Sequence, residues 1–202
     1  MDSDDFYAST SHIVAQYLLT LINTPSHSAG WLTNLADTEK GLSTFFKNCA
    51  EAGPRLCPFW SNRADDIRSN LADLYLKYRQ EPLAVRTRGF HGIVDEVSIR
   101  KAVFSALYSP HSAWYPLAHA LKELKNGNGL PILALTQELP YQCSCNPKAG
   151  EGKAVWDSVV SIVCNDGDPV PGSLEDVKAY MQELMGVSEW AHIWGSIRLG
   201  CM

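Results

Sequence analysis

What this sequence lacks narrows it first. Its 202 residues contain no G-x-S-x-G, which excludes the tight strand-to-helix turn where a nucleophilic serine stands beside a backbone oxyanion hole. No Gly-rich phosphate loop follows an apolar strand. The histidines (His12, His27, His91, His111, His119 and His192) show no HExxH spacing and join no cysteine pattern that resembles a zinc framework, so neither metal nor other cofactor is expected. Seventeen basic against twenty-two acidic side chains leave a formal charge of -5, and no basic run exceeds Arg100-Lys101. Nucleic acid is therefore excluded as a partner. The apolar run 13–22 is broken by Gln16 and Thr20 and falls short of the roughly twenty residues a bilayer demands. The start, Met1-Asp2-Ser3-Asp4-Asp5, is acidic where a secretory signal is basic. As written, the chain reads as cytoplasmic, with no membrane partner.

What is present is a core-forming composition, 46% hydrophobic, in a length that suits one domain. Six cysteines (49, 57, 143, 145, 164 and 201) are more than a cytosolic domain of this size usually carries. The conflict disappears if the chain is an internal piece of a secreted protein, or descends from one.

Helical periodicity dominates. Leu42, Phe45, Phe46 and Cys49 fall at i, i+3, i+4 and i+7, and Gly53-Pro54 marks a stop. A second helix is expected over 64–80, with Ile67, Leu71, Leu74, Tyr75 and Tyr78 on one face, and a third over 95–108. Pro116 suits the first turn of a fourth helix, where its missing N–H costs little, before the break Asn126-Gly127-Asn128-Gly129. Residues 130–139 are apolar and of open type, 140–153 read as an irregular loop, and 155–163 as a strand or a buried helix. Ser173 with Asp176 approximates a capping box for a helix that Gly186 ends, and Trp190, Ile193, Trp194 and Ile197 follow in an aromatic segment.

Several of these stretches carry a family likeness. Asp2-Ser3-Asp4-Asp5-Phe6-Tyr7-Ala8, Trp31-Leu32-Thr33-Asn34-Leu35-Ala36-Asp37-Thr38-Glu39-Lys40 and Cys49-Ala50-Glu51-Ala52-Gly53-Pro54 with Cys57 lead the series. Leu107-Tyr108-Ser109-Pro110, Leu117-Ala118-His119-Ala120-Leu121, Val163-Cys164-Asn165-Asp166-Gly167 and Trp194-Gly195-Ser196-Ile197-Arg198-Leu199-Gly200-Cys201 continue it. In kind and order they resemble the region after the nucleophile strand, the inserted helical lid, and the return to the core in fungal and bacterial tripeptidyl aminopeptidase-like α/β-hydrolases. The likeness covers nearly everything except residues 9–29, where relatives have a few positions and this chain has about twenty. An extra N-terminal helix over 13–22 and translated intron sequence are the two readings of that insertion.

The resemblance implies a mainly α, compact helical bundle equivalent to the lid, without the catalytic sheet, with one short strand or hairpin at most. It places residues 31–202 in that lid-like domain, behind an N-terminal segment 1–30. It implies an ancestral family that is often secreted, and a Ser-His-Asp triad whose members all fall outside these residues. No catalytic role carries over. Function is then expected as a lid fragment or relative that covers substrate without chemistry. The alternatives are a stand-alone repurposed lid that binds or transforms a small hydrophobic metabolite in fungal secondary metabolism, and a pseudogene product.

Cys49 and Cys57 flank the helix stop closely enough for a disulfide, or are two buried thiols; the resemblance suggests that they pair. Cys164 with Cys201 is a second candidate bridge, while Cys143-Ser144-Cys145 lacks the spacer of redox and zinc sites. A Cys/His nucleophilic pair stays a minor alternative. Asp166 is either an anchor for the free amine of a peptide or a turn residue bonding to its own backbone. Trp114, Tyr115, Trp190 and Trp194 are candidates to line a ligand pocket, against the blander assignment of at least two of them to core. The expected partners are a small hydrophobic molecule or a peptide, and a second copy through an exposed apolar face.

Overall fold

The computed structural model of the chain describes residues 34–88, 90–136 and 173–200, together with Leu32 and Cys164. Readings that fall on residues 1–30, the insertion 9–29, Cys143-Ser144-Cys145, 155–163, Asp166 and Cys201 lie outside the described residues. The chain divides into two compact units, Asp37–Tyr141 and a second that holds residues 173–200. Among the described residues the architecture is mainly helical, with seven helices and one two-stranded sheet.

The first unit runs α1 (Thr38–Leu56), α2 (Ala64–Gln80), β1 (Leu83–Thr87), β2 (Phe90–Val94), α3 (Glu96–Leu107), α4 (Pro110–Lys125) and α5 (Leu130–Thr136). Both apolar stripes expected on the first two helices are inward: Leu42, Phe45, Phe46 and Cys49 on α1 and Ile67, Leu71, Leu74, Tyr75 and Tyr78 on α2 are all buried. α3 supplies Ile99 and Val103, α4 supplies Leu117, Leu121 and Leu124, and α5 supplies Ile132, each at most 1% exposed. Helical spacing thus turns one stripe per helix into a shared core. The Tyr78 hydroxyl, which burial obliges to find a partner, donates to the Leu124 carbonyl at 2.9 Å and ties α2 to the end of α4.

One local expectation is corrected, and two that were open are given a type and a place. α4 starts at Pro110, so it is Pro110 that occupies the first turn, and Pro116 lies inside the helix. The open segment after the glycines is a helix, α5. The stretch between α2 and α3 is an antiparallel hairpin, in register from Leu83 opposite Val94 to Thr87 opposite Phe90. Gly129 explains the close seating of the link before α5 on that hairpin: a Cβ there would stand 2.9 Å from the Leu83 and Val85 methyls and 3.1 Å from Val94.

α3 is anchored by charge as well as burial. Asp95 caps it by accepting from the Ser98 N–H at 2.8 Å, and Glu96 in its first turn accepts from both Arg79 of α2 and Arg100. Arg100 lies over the Tyr75 ring, 4.2 Å from its centre. The hydrogen bond from Arg79, with help from Arg100 and against the opposing effect of burial, holds the Glu96 carboxyl down to about 2 from 4.5. Because the folded value is the lower one, this contribution is present above 4.5 and is lost as pH falls from there through about 2. Arg79 is largely exposed, which screens the pair, so about 2 kcal/mol is at stake. Urea titrations between pH 6 and pH 2.5 are expected to show that acid loss in the native chain and a flatter profile in Glu96→Gln; parallel profiles would refute it.

The second unit is described by α6 (Leu174–Val187) and α7 (Ala191–Leu199). Ser173 caps α6, its hydroxyl oxygen accepting from the Asp176 N–H at 3.1 Å. The helix continues past Gly186 to Val187, one residue beyond the expected stop. Leu184 and Trp190 are fully buried, and Ala191 and Ile193 nearly so.

Candidate functional site

The stretch that ends α1 builds the candidate site. Gly53 breaks the helix at φ +75°, a left-handed value that costs a glycine nothing, and Pro54 follows with no N–H to give. The carbonyl four residues before a proline loses its helical donor. Here that carbonyl is Ala50, and the Trp60 indole N–H replaces the missing donor at 2.9 Å. The Cys57 N–H donates to the Gly53 carbonyl at 2.9 Å, and a disulfide joins Cys49 to Cys57 across 5.2 Å between Cα atoms. Two hydrogen bonds and one covalent bond therefore hold the broken helix end in a fixed return.

That return faces α4. Phe45, Asn48, Cys49, Ala52, Leu56 and Cys57 form one wall and Trp114, Tyr115 and Ala118 the other, around a cavity of about 130 Å³. Phe45 and Trp114 meet edge to face, ring centres 5.6 Å apart at 73°. The rim is Leu56 and Tyr115, 61% and 57% exposed, and the exposed Asn48 amide. No lining side chain carries a charge at neutral pH. The Trp114 indole N–H is buried with no acceptor, an arrangement that costs about 1–3 kcal/mol.

Of the candidate site residues, Trp114 and Tyr115 thus share one pocket. Trp190 is core of the other unit, and Trp194 lies half-buried on α7. Cys49 and Cys57 hold each other, so neither offers a thiolate, and Cys164 is disulfide-bonded as well. His119, expected to be partly buried between Leu117 and Leu121, is exposed: two residues along a helix is about 200°, which turns it away from the face those leucines bury. Among the described residues no group of three or more histidine, cysteine or acidic side chains is disposed to hold a metal, and no helix is long and apolar enough to cross a membrane.

Sequence reasoning missed Phe45, Asn48, Ala52, Leu56 and Ala118 as lining residues. A signal was present in the small residues Ala52 and Ala118, which leave room, and in two cysteines flanking a Gly-Pro break. Comparison of the chain with protein-family models, with curated proteins and with solved structures finds no match.

Proposed function

We propose that the chain is a covering element of a tripeptidyl aminopeptidase-like serine hydrolase, a helical piece that shapes access to substrate and carries no nucleophile of its own. The observation that supports this best is spatial: two stretches that carry the resemblance, 49–57 and 117–121, contribute opposite walls of one apolar pocket although some sixty residues separate them. A cover set apart from what it covers also presents apolar surface, and Leu56, Ile93 and Tyr108 are 61, 62 and 69% exposed. Such surface favours pairing with a second copy.

A second reading, a stand-alone lid that binds a small hydrophobic molecule, is favoured by the uncharged lining of the same pocket. Incubating the purified chain with a chromogenic tripeptidyl anilide is expected to release nothing above buffer. Flanking DNA is expected to encode G-x-S-x-G upstream and a histidine-bearing segment downstream, in frame. Anilide release that a serine-directed acylating reagent abolishes would overturn both readings, and a reading frame flanked by neither segment would leave only the second.

A further inference from the structure

We infer that the pocket between α1 and α4 is a binding site for one uncharged, single-ring aromatic carbonyl compound. This rests on the second reading, a lid that binds a small hydrophobic molecule, and four features of the wall select the ligand class. The first is size: an apolar cavity of about 150 Å³ takes up benzene, so about 130 Å³, open at its rim, suits one ring and not two fused ones. The second is the surface offered to that ring. The Phe45–Trp114 corner gives one face and one edge, and the Cys49–Cys57 sulfurs are polarisable neighbours of the kind aromatic rings contact favourably.

The third feature is charge. With no ionic side chain in the lining, a carboxylate or ammonium would lose its hydration to nothing that replaces it, which selects a neutral molecule. The fourth is the polar remainder. The Asn48 amide at the rim offers a donor to a ligand oxygen, so an acceptor substituent matches it. Emission from Trp114, which stands in the wall, reads occupancy.

The probe is acetophenone, titrated into the full oxidised chain by calorimetry and fluorescence, with benzoate and 2-acetonaphthone as the charged and two-ring comparisons. One-to-one saturation is expected with a Kd on the order of 1 mM, typical for so few atoms, and the two comparisons are expected to bind about tenfold more weakly or worse. Ala52 is exposed at the end of the regular part of α1, so Ala52→Trp fills the pocket without disturbing the core, and is expected to raise the acetophenone Kd about tenfold or more. Asn48→Ala removes the rim donor, and is expected to weaken acetophenone about fivefold while leaving toluene unchanged. Absence of saturable binding to the native chain, or an unaltered Kd in a folded Ala52→Trp protein, overturns the site. Equal binding of benzoate or acetonaphthone overturns the ligand class. None of these readouts depends on hydrolysis, so a chain that cleaves tripeptides defeats the cover reading while leaving this result to stand or fall separately.

Discussion

Replacing Cys49 and Cys57 together by alanine is expected to lower the stability of the unit 37–141 by about 2–3 kcal/mol and to abolish ligand uptake by its pocket. The cross-link closes a loop of sequence separation eight, and for a loop that short the chain-entropy estimate is about 2.5 kcal/mol. Nothing helical restrains the chain at this point, since Gly53 is out of helical geometry and Pro54 has no N–H. Without the disulfide, the return rests on Cys57 N–H to Gly53 and Trp60 Nε1–H to Ala50, each worth about 1 kcal/mol. The buried core, Phe59 at 4% exposure included, keeps the unit folded, and with only those two bonds left the last turn is expected to open. Ala52, Leu56 and Cys57 then no longer hold one wall of the cavity. Guanidinium titrations of the native chain, the reduced chain and the double variant measure this. Native midpoints well above two coincident lower ones are expected, and a native chain that keeps its midpoint after both thiols have been titrated as free would show that the bond stabilises nothing.

How much of this was readable beforehand depends on how local each feature is. The bounds 64–80 of α2 follow from periodicity alone, because five apolar residues at helical spacing and a proline just past the end leave one solution. The start of α4 was misread because two prolines compete for its first turn. Either fits locally, and only the packing of Leu117, Leu121 and Leu124 on the core, with the chain arriving from Tyr108 at the end of α3, selects Pro110. The sequence allows one short hairpin without locating it, because the strands are five residues long and Arg86, Thr87 and Arg88 interrupt the alternation; what stabilises it is tertiary, the burial of Val94 and the close approach of Gly129. The pocket is the least local feature of all. Trp114 and Tyr115 were visible as aromatic candidates, but the opposite wall is supplied by a helix sixty residues earlier, and its shape depends on a break that sequence reading takes simply as a stop.

Leu121→Ala is expected to cost the unit 37–141 about 3–4 kcal/mol, more than loss of the disulfide. Leu121 is 0% exposed on the inner face of α4, the helix that packs on α2, α3 and α5, so its removal leaves a hole bounded by several elements and not by one. Neighbours have little freedom to collapse into it. Tyr78 is fixed by its bond to Leu124 one turn further along α4, and Leu117 and Leu124 are themselves at most 1% exposed. A residual cavity is therefore expected, which places the cost above the simple transfer of the lost carbons. For a unit of about a hundred residues this corresponds to a fall in Tm of roughly 15 °C. Leu121→Met, which conserves volume, is expected to lose less than about 1.5 kcal/mol. The contrast between the two is the test: a mild Leu121→Ala in a two-state melt would mean that α4 does not sit at the centre of this core, and with it would go the rigid wall on which the pocket depends.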